Sequence, residues 1–176
     1  MTLKEYLESY DEPLNEGLFD KVKLLFRSLK KNFKTTILAL SLAANLITGI
    51  NVAADNSTEV LKMKQEVSEK ISKLNNLNFF TEIERKVSNV DEHYSTPEQI
   101  EKLSRQIEAQ KHILGEVTDA YNKISILKPA KSQEKKIEDA IKKAETCIKF
   151  SEDTLKEIKE ENHNDMTVRV GHKYIK

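Results

Sequence analysis

Residues 35–54, TTILALSLAANLITGINVAA, carry no ionisable side chain in a chain where a third of the residues are charged. Such a stretch has to leave water, and three destinations are open: a membrane-inserting or anchoring helix, a cleaved export signal, or the interior of a fold. Its length approaches the roughly 20 apolar residues that cross a bilayer core. Asn45, Thr48, Gly49 and Asn51 weaken it as a span. Lys30, Lys31 and Lys34 stand directly before it, the flank that stays cytoplasmic and sends the polar remainder across the membrane. As an export signal it has an apolar centre from Ile37 to Ile47 and small residues before Asp55, with Val52, Ala54 and Asp55 as the cleavage positions. Against that stands its position, since a signal n-region is a few residues long and 34 residues precede this stretch.

The rest of the chain favours long helices. Only 6% of residues are aromatic, there is no Trp, and four Gly and three Pro leave few places to turn. Lys+Arg and Asp+Glu both number 29, so no global field draws the chain to nucleic acid. The charge is nevertheless segregated. Residues 1–16 set Glu5, Glu8, Asp11, Glu12 and Glu16 against Lys4, and residues 17–34 set Lys21, Lys23, Arg27, Lys30, Lys31 and Lys34 against Asp20. In this basic segment Leu18, Phe19, Val22, Leu25, Phe26, Leu29 and Phe33 recur at helical spacing, giving an amphipathic helix that either packs on its own domain or lies on a membrane surface. The expected membrane-contacting set is Leu18, Phe19, Val22, Phe26, Leu29, Phe33, Ile37, Leu38, Leu40, Leu42, Leu46 and Ile47.

Residues 55–162 read as three helices. Asn56 and Glu59 cap the first, whose apolar positions Val60, Met63, Val67, Ile71 and Leu74 continue through Ile83, Val87 and Val90 toward a turn at His93, with a break at Asn75, Asn76 and Asn78. Thr96, Pro97 and Gln99 start the second as N-cap, first helical residue and capping-box partner. Its heptad seam is Ile100, Leu103, Ile107, Gln110, Leu114, Val117, Tyr121 and Ile124, with Gln110 the one amide in it. Residues 128–132 break the helix, and with Ser132 as the next N-cap the third follows, with Ile137, Ile141, Ala144, Ile148, Ser151, Leu155 and Ile158 in the seam. So short a link makes the last two an antiparallel hairpin. Their stripes are narrow, so the first helix or a second copy of the chain must cover them. In the tail, residues 163–176, Met166 to Val170 alternate like a short strand. The fold class is therefore all-α: an amphipathic helix and apolar segment, then a three-helix bundle or antiparallel coiled-coil hairpin.

Chemistry-bearing motifs do not emerge. No phosphate-binding glycine loop, cysteine pair or nucleophile triad is spaced in the chain. His163 and His172 flank Asp165 in a polar terminus, and His93 and His112 sit in a turn and on a helix face. Cys147, the sole cysteine, borders the seam at Ile148. No catalytic residue, metal ligand or cofactor is assigned.

One local pattern carries a family resemblance. Met1-Thr2-Leu3-Lys4-Glu5-Tyr6-Leu7, followed by Leu14-Asn15-Glu16-Gly17, resembles the leaders of internal head proteins in T-even-like tailed bacteriophages. Those leaders are amphipathic targeting peptides cut by the phage prohead protease after Leu or Ile, any residue and Glu, before a small residue. The resemblance covers about the first seventeen residues and puts the processing site at Leu14, Glu16 and Gly17. It implies a virion protein carried in the head interior, with phage head proteins and the prohead protease as partners; delivery to the host envelope, with membrane lipid as partner, is the expectation from the basic helix and apolar stretch over residues 17–54. The new terminus, Gly17-Leu18-Phe19-Asp20-Lys21-Val22-Lys23, looks like the opening of several membrane-active host-defence peptides. Two alternatives stand beside this reading: an exported or inner-membrane-anchored coiled-coil spacer in the bacterial periplasm, and a small soluble helical interaction module. A homo-oligomer through the coiled coil fits any of the three.

Overall fold

The structure, a computed structural model, describes residues 18–50, 58–76, 81–82, 85–86, 89 and 97–173, with side chains at 18–20, 76 and 162–173 left aside. The described residues contain helix and no strand. Four long helices follow in order: α1 (Leu18–Thr48), α2 (Thr58–Asn76), α3 (Pro97–Ser125) and α4 (Lys131–Lys173).

Cross-helix polar contacts set the directions. Lys21 near the start of α1 pairs with Glu161 far along α4, Lys111 of α3 reaches Glu152 of α4 at 2.9 Å, and Lys70 of α2 lies 3.3 Å from Glu116 of α3. Tyr121 of α3 also bonds Glu138 of α4. Helices consecutive in the chain, and α1 with α4, therefore run antiparallel, so the bundle goes up, down, up, down, and α1 and α3, which also touch, run parallel. These ion pairs lie exposed or half-buried at the surface and act as register marks more than as sources of stability.

The most extensive helix pairing joins α1 to α4. Counting in opposite directions from the Lys21 and Glu161 pair brings Ala39 roughly level with Ala144 and Ala43 with Ala140, all buried. Small side chains here let the helix axes approach closely. The buried hydroxyls nearby are spent on their own helices: Thr36 donates to the Asn32 carbonyl at 2.9 Å, Ser151 to Cys147 at 2.9 Å and Thr154 to Phe150 at 2.8 Å. Larger side chains fill the layers between, with Leu25, Phe26, Leu29, Phe33, Leu40 and Ile47 of α1 meeting a core that includes Leu103, Ile107, Val117, Ile137, Ile148 and Ile158.

The expected seams of α3 and α4 are inside. Leu103, Ile107, Gln110, Val117, Tyr121 and Ile124 are buried, as are Ile137, Ile141, Ala144, Ile148, Ser151, Leu155 and Ile158. Ile100 and Leu114 are half-buried, and Ile113 is the residue of its turn that is fully enclosed. The cause is that α3 touches α1, α2 and α4, so its buried face is broader than a single heptad stripe. The first helix of the expected unit, α2, does cover part of α3 through Val67, Ile71 and Leu74, and α1 supplies the rest of the cover, chiefly along α4. The unit expected over residues 55–162 thus includes the helix that precedes it.

Two local expectations change. Met166 to Val170 belong to α4 and not to a strand, because an existing helix extends at far lower cost than a lone strand finds a partner. Ser132 does not cap α4. The Ala130 carbonyl accepts from the Gln133 and Glu134 amides at 2.8 and 3.1 Å, so Ala130 holds the cap position and Lys131 begins the helix. Helix α3 ends at Ser125, tightens as the Leu127 and Lys128 amides donate to the Ile124 and Ser125 carbonyls at 3.0 Å each, and turns away at Lys128, whose φ is 52°. Helix α2 does stop at Asn76, within the asparagine run. Asn56, Asn78, Ile83, Val87, Val90 and His93 lie outside the described residues.

Buried polarity concentrates at one level. Ser28 of α1 and Gln106 and Gln110 of α3 are 1%, 7% and 0% exposed. Ser28 Oγ, Gln106 Oε1 and both amide atoms of Gln110 have no hydrogen-bond partner among the described residues. A buried amide without protein partners costs about 1–3 kcal/mol. Gln110→Met keeps the shape and removes the polar atoms, so it is expected to raise stability in urea melts by about 1 kcal/mol or more.

Candidate membrane-contact face

Helix α1 carries the side chains expected at a membrane, and the fold sorts them into two groups. Phe26, Leu29, Phe33, Ile37, Leu40 and Ile47 are buried in the bundle core. Val22 and Leu46 are half-buried against it. These eight face protein in the folded bundle and not lipid, because one stripe of α1 covers the hairpin seam. Leu38 and Leu42 point the other way and are 62% and 52% exposed. Leu18 and Phe19 begin the chain's described part, and their side chains are among those left aside.

The exposed face has its own order. Arg27, Lys31, Lys34, Leu38, Leu42 and Asn45 are spaced by three or four residues and all exposed, so they line one outward stripe. Cations occupy its N-terminal half and leucines its C-terminal half. None of Arg27, Lys30, Lys31 and Lys34 stands without an interaction partner. Cations beside exposed leucines on one helix face are the composition found in interfacial helices.

The same helix limits what a crossing would require. Helix α1 ends at Thr48, where Thr48 Oγ1 donates back to the Ala44 carbonyl at 2.9 Å and the Gly49 amide to the Asn45 carbonyl at 3.1 Å. Of the charge-free stretch, residues 35–48 are helical, roughly 21 Å long at 1.5 Å per residue. That is shorter than the roughly 30 Å of a bilayer core. No helix of the described residues is long and apolar enough to cross a membrane. The cleavage positions Leu14, Glu16 and Gly17, and the alternative set Val52, Ala54 and Asp55, lie outside the described residues.

Elsewhere the surface offers little chemistry. A groove of about 240 Å³ between α3 and α4 is floored by Ile107 and Leu155 and edged by Ser104, Glu108, Glu152, Lys156 and Lys159. Its polar groups engage one another, with Lys159 donating to Ser104 at 3.3 Å and Lys111 reaching both Glu108 and Glu152. Cys147 is half-buried, and burial pushes its thiol pKa up against a smaller opposing pull from Lys143, which disfavours the reactive thiolate. His112 is exposed on α3. Among the described residues no group of three or more His, Cys, Asp or Glu could hold a metal ion. Burial and its hydrogen bond to Glu138 push the Tyr121 phenol up to about 12. The folded state therefore holds that proton more tightly than the unfolded chain does. Its contribution is present below about pH 10 and is lost as pH rises toward 12. Ultraviolet titration of the phenolates should show one late tyrosine, missing in Tyr121→Phe.

The sequence singled out the leucines of the apolar segment without separating the two that face outward from those that pack inward. The signal that separates them is phase. Leu38 and Leu42 continue the line of Arg27, Lys31 and Lys34, whereas Ile37, Leu40 and Ile47 continue the line of Phe26 and Phe33. No protein family, curated protein or solved structure matches this chain.

Proposed function

We propose that the protein is a non-enzymatic, virion-associated phage protein, carried in the head by residues 1–16, trimmed after Glu16, and acting at the host envelope through the outward stripe of α1. The observation that carries this reading is that α1 (Leu18–Thr48) is part of the bundle core, packed along α4, and a cut after Glu16 leaves it whole. Cleavage after Ala54 would instead remove α1 and uncover the hairpin, which weighs against the export-signal alternative. Arg27, Lys31, Lys34, Leu38 and Leu42 then supply a first contact with anionic lipid that needs no unfolding.

N-terminal analysis of purified particles tests it. The protein in mature virions is expected to begin at Gly17. Glu16→Gln keeps the side-chain shape but removes the carboxylate from the protease, leaving a pocket donor unpaired at a cost of about 1–3 kcal/mol or more. Particles of that variant should retain the leader. Finding Met1 or Thr2 as the start in unsubstituted mature virions, or no such protein in virions, removes the proposal.

A further inference from the structure

The outward stripe of α1 is a cationic and apolar surface, and the same chain contains a segment of opposite charge attached at its end. Residues 1–16 hold five carboxylates, Glu5, Glu8, Asp11, Glu12 and Glu16, against the single Lys4. Within them Leu3, Tyr6, Leu7 and Tyr10 recur at helical spacing. We infer that this leader docks along α1 over Arg27, Lys31 and Lys34 and covers the stripe until it is cut away.

Length and connection favour this occupant over a second molecule. One residue, Gly17, separates the leader from Leu18, so docking is intramolecular and proceeds at a high effective concentration. Pro13 and Gly17 are residues at which a helix stops and a chain reverses. Arg27, Lys31 and Lys34 lie roughly 14–24 Å along α1 from Leu18, at 1.5 Å per residue. Residues 1–12 span roughly 18 Å as a helix and roughly 40 Å when extended. A reversed leader therefore reaches Arg27 and comes close to Lys31 as a helix, and passes Lys34 as an extended strand. Charge orientation fits as well. Lysines and an arginine on the exposed face of α1 meet a segment rich in Asp and Glu, while the leucines and tyrosines of the leader have the aliphatic stems of those cations to lie on. Cutting after Glu16 would remove the acidic cover and place a new positive amino terminus at the head of the same face. Processing would then convert a masked basic helix into a lipid-binding one.

This extends the envelope reading but is testable without it. Zero-length carbodiimide cross-linking of the full chain at low salt, mapped by mass spectrometry, should join leader carboxylates to Lys31 or Lys34 within one molecule. Those links should disappear when Glu5, Glu8, Asp11 and Glu12 are changed to their amides. In parallel, flotation with vesicles of mixed phosphatidylglycerol and phosphatidylcholine should show the chain beginning at Gly17, and the amide variant, binding at least about tenfold more tightly than the full chain. Intrachain links with no vesicle binding by any form would support the docked leader and remove the lipid role. Equal vesicle binding by all three forms without intrachain links would overturn the docked leader while leaving the lipid role standing. Links found only between molecules would also overturn it, identifying a second copy as the occupant.

Discussion

Leu40→Asp is expected to abolish the cooperative fold, whereas Leu42→Asp, two residues further on, should leave it nearly unchanged. Leu40 is fully enclosed between α1 and its neighbours, and Leu42 is 52% exposed on the outer stripe. A carboxylate at position 40 would be buried without a partner, one of the few single changes that cost more than about 4–5 kcal/mol. At position 42 it meets water, beside a row of cations, and the change should stay within about 1 kcal/mol. Far-ultraviolet dichroism with urea melts measures both. In a helix inserted through a bilayer the two substitutions would be nearly equivalent, each placing a charge near the segment's centre. Equal disruption by both would therefore contradict the buried position of α1, and equal tolerance would contradict its core packing.

That contrast marks where the sequence was legible. The seams of α3 and α4 could be read because each repeats its spacing over about four heptads, and period alone decides which side is inward. The apolar segment was harder because exposed Leu38 and Leu42 complete a ring of apolar residues around α1. A helix apolar on all sides reads equally well as lipid-bound or as deeply buried. Phase relative to the basic residues resolves it only when the helix is followed back to Arg27. The buried polar level was half visible: Gln110 stood out as an amide in the seam, but Ser28 and Gln106 are polar residues whose burial depends on three-helix packing. Five residues of alternation at 166–170 were too few to compete with the helix already running through them.

Deleting residues 1–57 should leave a chain that cannot fold as a monomer, while deleting residues 1–16 should cost only what the docked leader adds, about 1–2 kcal/mol. Helix α4 packs chiefly on α1 and α3, and its buried face, from Ile137 through Ala140, Ala144, Ile148 and Ser151 to Ile158, is too broad for α3 alone to cover. Losing α1 removes the burial of Phe26, Leu29, Phe33, Ile37, Leu40 and Ile47, together with the cover they give to α4. Each such side chain contributes roughly 1.5–3 kcal/mol on burial, so the loss is on the order of 10 kcal/mol. A domain of this size has a net stability of about 5–15 kcal/mol, and the hairpin has no reserve to meet a deficit that large. The chain beginning at Thr58 should show either no cooperative melt or a defined oligomer in which a second copy fills the seam. Size-exclusion chromatography with light scattering separates these outcomes, and a cooperative monomer would refute the central role given to α1. The same measurement bears on processing. A chain cut after Ala54 would meet the same deficit, whereas one cut after Glu16 keeps α1 from its first residue and should still melt as a cooperative monomer, within about 1–2 kcal/mol of the full protein.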